Sequence, residues 1–191
     1  PERMTIAREI ESIGTNWSGG SVGSGHMSRG WSANNTYDGF QNTGPATTTS
    51  SSCEYNTGSN SCSSSGSHKL KRTFDLSDGG VIWDFAGNVH EMVDWSAASA
   101  GFTLGPTDGS PSCQQLTTLS GSVVYNDIHS SGGYNTSHNA GMWYGDDGTG
   151  GVVFRGGKFD NGILAGVFNA NMSAKTITTA SDLGFRCVYR P

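Results

Sequence analysis

Glycine occupies 29 of the 191 positions and is spread along the whole chain. A residue that enters left-handed backbone freely and brings no side chain to pack favours turns over long helices or strands. Such a chain holds a core only if a minority of large side chains does the packing. Five Trp, six Tyr and eight Phe supply that minority, and they separate the sequence from disordered Gly/Ser-rich polymers. The expected architecture is a single α+β domain spanning 1–191, loop-rich, with short strands and small sheets. Its length suffices for one core.

Charge narrows the partners. The formal net charge is −5, and the densest basic run is Lys69, Lys71 and Arg72, so no nucleic-acid footprint is expected. No apolar run reaches the length of a membrane span, so direct membrane insertion is not expected either. Pro1 stands directly against a helical pattern, which reads as the trimmed start of a longer protein. The cysteines Cys53, Cys62, Cys113 and Cys187 contain no C-x-x-C pair, which excludes a zinc ribbon or thioredoxin motif. Cys53 and Cys62 bracket a loop. They either form a disulfide in an oxidising compartment or remain thiols.

Ile6, Ile10 and Ile13 recur at helical spacing, with Ala7 beside them, and predict a helix over Met4–Ile13 that Gly14 ends. A glycine-rich loop is expected over Asn16–Gly30, and a long polar loop over 41–67. Apolar stretches predict strands at Val81–Phe85, Val89–Trp95, Val123–Tyr125, Val152–Phe154, Val167–Met172 and Leu183–Tyr189. Little regular structure is expected between 16 and 80.

Three motifs invite chemistry and do not carry it. Gly19-Gly20-Ser21-Val22-Gly23 fits G-x-S-x-G, but a nucleophile elbow needs a strand before it and a helix after it. Here a helix precedes and more glycine loop follows. His90-Glu91-Met92-Val93-Asp94 has Asp where a zincin has its second His, and the five His are scattered. Sequons at Asn16, Asn34, Asn135 and Asn171 arise easily in so Asn/Ser/Thr-rich a chain and are assigned no glycan.

Two blocks are specific. Ile82-Trp83-Asp84-Phe85-Ala86-Gly87-Asn88-Val89-His90-Glu91-Met92-Val93-Asp94-Trp95 resembles the D-x-x-G-N-V-W-E-W-V segment of formylglycine-generating-enzyme-like domains, with His90 and Met92 in place of Trp. Phe154-Arg155-Gly156-Gly157-Lys158-Phe159, running on to Gly184-Phe185-Arg186-Cys187, resembles that family's R-G-G-S-W … G-F-R-C ending. The resemblance implies a C-type-lectin-like fold of the formylglycine-generating-enzyme type, with small antiparallel sheets. Phe154, Val167, Phe168, Leu183 and Phe185 would supply apolar faces, and Arg155 and Arg186 would serve as scaffold donors. It also implies Ca²⁺ held by Asn88 and Glu91, with carbonyls of Ala86 and Val89 completing an oxygen shell. The alternative is that Asn88 and Glu91 only fix a turn. The family's cysteine pair falls on Asn161 and Gly166, so its redox chemistry does not transfer.

The stretch Arg155-Gly156-Gly157-Lys158-Phe159-Asp160-Asn161-Gly162-Ile163-Leu164-Ala165-Gly166-Val167-Phe168-Asn169-Ala170-Asn171 further resembles the R-G-G-S-W-N-N-G-x-x-A-G-V-F ending of diversity-generating retroelement variable proteins. That likeness implies a non-catalytic binding protein, extracellular, on a cell surface or on a virion, with a variable ligand-binding region over about 155–187. Its partner would be a protein or glycan on a cell surface. Phe159, Asp160, Asn161, Ile163, Leu164, Asn169, Asn171, Ser173, Ala174 and Lys175 would face solvent, with Phe159, Ile163 and Leu164 as anchors. Gly162, Ala165, Gly166, Val167 and Phe168 would form the buried framework. The alternatives are a formylglycine-generating-enzyme-like or other oxidoreductase, and an inactive structural relative.

Overall fold

The structure, a computed structural model, describes residues 2–32, 71–96, 112–114, 138–141, 143–145, 152–171 and 180–187. Cys53, Cys62, the sequons at Asn34 and Asn135, the strand expected at Val123–Tyr125, and Ser173, Ala174 and Lys175 lie outside the described residues. The fold is α+β, with one α-helix and two small sheets among the described residues.

Helix α1 runs Glu2–Ser12. Ala7 and Ile10, one turn apart, are fully buried, and Met4 and Ile6 pack beside them. The expected helix is thus displaced towards its start. Ile13 already has extended backbone and leads into a 3-10 turn at Gly14–Asn16. Gly14 is demanded by proximity, since a Cβ there would sit 2.7 Å from the Gly20 carbonyl oxygen. Asn16 then clamps the helix end to the first strand. Its Nδ2 donates to the Ile10 oxygen at 3.0 Å and to the Asp75 oxygen at 2.9 Å, while Oδ1 accepts the Asp75 N–H at 2.8 Å.

Strands β1 (Thr73–Asp75) and β2 (Val81–Trp83) form an antiparallel hairpin. The other sheet has six strands in the order β4-β5-β7-β6-β3-β8. These are β3 (His90–Ser96), β4 (Ser112–Gln114), β5 (Trp143–Gly145), β6 (Val152–Arg155), β7 (Ala170–Asn171) and β8 (Leu183–Gly184). Pairs β3–β8 and β5–β7 are parallel and the others antiparallel, so the small sheets expected to be antiparallel are so in part and the larger is mixed. Periodicity reports which residues are extended, whereas the direction of a partner is set by the intervening connection.

Two strand expectations shrink. Val167 and Phe168, read as the start of a strand, occupy a turn in which Phe168 N donates to the Ala140 oxygen at 2.9 Å. Only Ala170–Asn171 pairs as β7. The closing strand is limited to Leu183–Gly184, and Phe185, expected on an apolar face, is 74% exposed. Between 16 and 80, the described residues add β1 and an isolated Trp17–Met27 bridge.

The core gathers aromatic and small residues from distant segments: Ala7 and Ile10 of α1, Trp17 and Met27 of the glycine-rich loop, Phe74 of β1, Phe85, Val153 of β6, and Val167 and Phe168. Phe74 and Phe85 meet edge to face, with centroids 6.4 Å apart, the arrangement that ring quadrupoles favour. Gly30 and Gly87 mark a backbone crossing. Both have positive φ, and a Cβ on either would fall 2.7 Å or closer to the opposing chain. No helix among the described residues is long and apolar enough to cross a membrane.

Candidate functional site

The segment after β6 is a tight frame. Asn161 Oδ1 accepts the Lys158 N–H at 2.9 Å, and Asn161 N donates to the Lys158 oxygen at 3.1 Å. A second 3-10 turn follows at Gly162–Leu164. It is fastened from outside by Gly162 N, which donates to the Ser32 oxygen at 2.6 Å, and by Phe159 N, which donates to the Asn88 oxygen at 3.1 Å. Gly162, Ala165, Gly166, Val167 and Phe168 are all buried. A Cβ at Gly166 would lie 2.4 Å from Gly141 N and 2.5 Å from the Asn139 oxygen. At Gly166, one of the two positions aligned with the resembled enzymes' cysteine pair, no side chain fits.

On that frame Phe159, Asp160, Asn161 and Leu164 are half-buried, as is Asn171 on β7. Of the Ile163 backbone, the structure shows only its place in the 3-10 turn. Asn169 departs from expectation. It is 2% exposed, and its Nδ2 donates to the Leu164 oxygen at 2.6 Å. It belongs to the frame because the carbonyl that closes the 3-10 turn needs a donor inside the protein.

Charge at this surface is arranged around Lys158. Its Nζ lies 2.9 Å from Asp182 Oδ2, 3.4 Å from Asp160 Oδ2 and 5.6 Å from the Phe159 ring centroid. Partial burial works against the ammonium, but the hydrogen bond to Asp182 and the two carboxylate charges raise its pKa overall. The hydrogen bond from Lys158 in turn lowers that of Asp182. The pairing of Lys158 with Asp182 was invisible in the sequence, because 24 positions separate them and β8 alone brings them together.

Behind this surface stands His90, stacked on Phe154 with centroids 5.8 Å apart and planes 26° from parallel. It is 6% exposed, and its Nδ1 has no hydrogen-bond partner. Burial, then the Lys158 charge, push its pKa down to about 4 against the partial opposition of Asp182 and Asp160. His90 is thus a neutral packing residue at neutral pH.

The donor set read as a Ca²⁺ site does not fit that ion. Asn88 has positive φ and gives its Nδ2 to Asp84 Oδ2 at 3.1 Å. Asp84 is held bidentately by Arg72, and the Asn88 carbonyl is taken by Phe159 N. Glu91 Oε2 accepts Arg3 Nη1, and Oε1 accepts Arg186 Nε at 2.9 Å and Nη2 at 2.5 Å. A divalent cation needs several free, anionic oxygens, whereas these carboxylates face guanidinium groups. Asn88 and Glu91 fix a turn and an ion-pair cluster. Among the described residues, no group of three or more His, Cys, Asp or Glu could hold a metal.

The G-x-S-x-G match lies in a hydrogen-bonded turn, where Ser24 N donates to the Ser21 oxygen at 2.9 Å, and not at a strand-to-helix junction. The largest exposed apolar side chains among the described residues are Val22, Val81, Trp83 and Phe185, all outside 159–175. Comparison with protein-family models, with curated proteins and with solved structures found no match for this chain.

Proposed function

We propose that this chain is a non-catalytic ligand-binding protein of the diversity-generating retroelement variable type, built on a C-type-lectin-like scaffold and acting at a cell or virion surface. The observation that carries the reading is the division of labour within 158–171. Buried Gly162, Ala165, Gly166, Val167, Phe168 and Asn169, with the Asn161 side chain, hold the backbone, while Phe159, Asp160, Leu164 and Asn171 are half-buried and reach solvent from it. Recognition surfaces need that combination of a fixed backbone and replaceable side chains. The partner is a protein or glycan on a cell surface, gripped by Phe159 and Leu164 with Asp160 setting specificity. The steric exclusion of a side chain at Gly166 argues against the oxidoreductase alternative.

The reading is tested in two arms. One is a display library varied at Phe159, Asp160, Leu164 and Asn171, scored for protease resistance beside a library varied at Val167 and Phe168. The other pans the unmodified chain against arrays of glycans and cell-surface ectodomains. Tolerance in the first library only, with a captured ligand lost on Phe159→Ala at unchanged melting temperature, supports the proposal. Equal intolerance in both libraries would sink it.

A further inference from the structure

Among the described residues, Arg155 is a buried charge without a counter-ion. It stands on β6 directly opposite Glu91 of β3, so the two side chains leave the same face of the sheet. Glu91 is nevertheless fully engaged elsewhere, one oxygen with Arg3 and the other with Arg186. Arg155 is 4% exposed and keeps one long contact, from Nη1 to the Phe168 oxygen at 3.5 Å. A guanidinium carries five N–H donors in a rigid fork, so most of its capacity is unspent.

The nearest charge makes matters worse. Burial, followed by repulsion from Arg3, holds the Arg155 pKa down to about 9. Arg3 is itself depressed to about 10, chiefly by burial, and its Nε has no hydrogen-bond partner. Arg3 reaches the backbone just beyond Arg155, where an added Cβ at Gly156 would come within 3.0 Å of Arg3 Nη2. One carboxylate therefore serves two guanidinium groups, and a third lies beside them with no acid of its own. Buried charges are normally paired, because an unpaired one costs several kcal/mol or more. Arginine does not escape by losing its proton.

We propose that Arg155 and Arg3 together bind a small inorganic anion between the first turn of α1 and the β3–β6 pair. The anion completes the charge balance of the cluster and accepts the idle N–H groups of Arg155 and the Nε–H of Arg3. This site is separate from the surface formed by residues 158–171 and does not depend on that surface binding anything.

The test uses the full chain, exchanged into gluconate buffer and titrated at constant ionic strength with chloride, sulfate or phosphate while thermal melting is followed. A saturable rise of several degrees with at least one of the three, absent in Arg155→Met, is the expected result. Methionine replaces the guanidinium with an apolar chain, so in gluconate the variant should be at least as stable as the parent. Should Arg155→Met fail to fold, ³⁵Cl line broadening by the unmodified chain, competed by sulfate or phosphate, reads the site directly. A melting temperature that follows ionic strength alone, a rise that survives Arg155→Met, or, where chloride is an anion that raises the melting temperature, no ³⁵Cl broadening in that second experiment overturns the proposal.

Discussion

Replacing Asn16 with alanine removes three hydrogen bonds in one step, two donated by Nδ2 to the Ile10 and Asp75 carbonyls and one accepted by Oδ1 from the Asp75 N–H. Asn16 is 1% exposed, so water cannot readily take over. Each bond contributes about 1 kcal/mol net, and each buried group left unpaired costs roughly 1–3 kcal/mol. The Ile10 carbonyl is the most enclosed of the three partners, while those of Asp75 are part-buried. The expected loss is about 3–5 kcal/mol, near 10 °C in melting temperature at roughly 2–4 °C per kcal/mol for a domain of this size. Urea unfolding monitored by Trp fluorescence would show a lower midpoint at unchanged slope. Ser12→Ala is the control, since Ser12 Oγ makes a single exposed bond to the Glu9 carbonyl. An Asn16→Ala midpoint within error of the Ser12→Ala value would refute the clamp. The same geometry excludes a glycan at this sequon, because Nδ2 is already spent inside the fold.

Three further outcomes are expected. His90 has a folded pKa near 4 against 6.5 unfolded, so its contribution to stability is complete above about pH 6.5 and is lost as pH falls towards 4, by about 3 kcal/mol in all; His90→Phe should flatten the stability profile across that window, and an unchanged slope would contradict the assignment. Phe168, fully buried, should cost roughly 3–5 kcal/mol on truncation to Ala in the same unfolding assay. Glu91→Gln should destabilise by about 3 kcal/mol, because Arg3 loses its charged partner in a low-exposure site, while the more exposed Arg186 adds less; calorimetry showing less than about 1 kcal/mol would mean that solvent already serves those arginines.

Local signals were legible in the sequence where local physics decides the outcome. Of the apolar positions that predicted α1, Ile10 and its neighbour Ala7 are buried, while Ile6 is only partly so and Ile13 lies beyond the helix; Gly162, Ala165, Gly166, Val167 and Phe168, expected as a buried framework, are buried. What failed depends on distant chain. Val167 and Phe168 have strand-favouring side chains, yet the Ala140 carbonyl and the crowding at Gly141 hold them in a turn. Asn169 looks like a surface residue until the 3-10 turn presents the Leu164 carbonyl to it. Glu91 carries the pattern of a metal ligand, but Arg3 and Arg186 arrive from 88 and 95 residues away and take both oxygens. Spacing along the chain holds no information about such encounters.

The way Glu91 joins Arg3 to Arg186 has a consequence for synthesis on the ribosome. Arg3 leaves the exit tunnel before Glu91 does, but the strand carrying Glu91 cannot be closed on its other side until β8 has also emerged. β8 pairs in parallel with β3, His90 with Leu183 and Glu91 with Gly184. The sheet therefore acquires this edge only after every other described strand of it has been synthesised. Until then the backbone groups of β3 that face β8 stay open to any strand that passes. Contacts of such long sequence separation form slowly because loop closure precedes any gain from the contact. A nascent chain halted before Asp182 should accordingly engage holdase chaperones strongly, and one extended past Arg186 should release them.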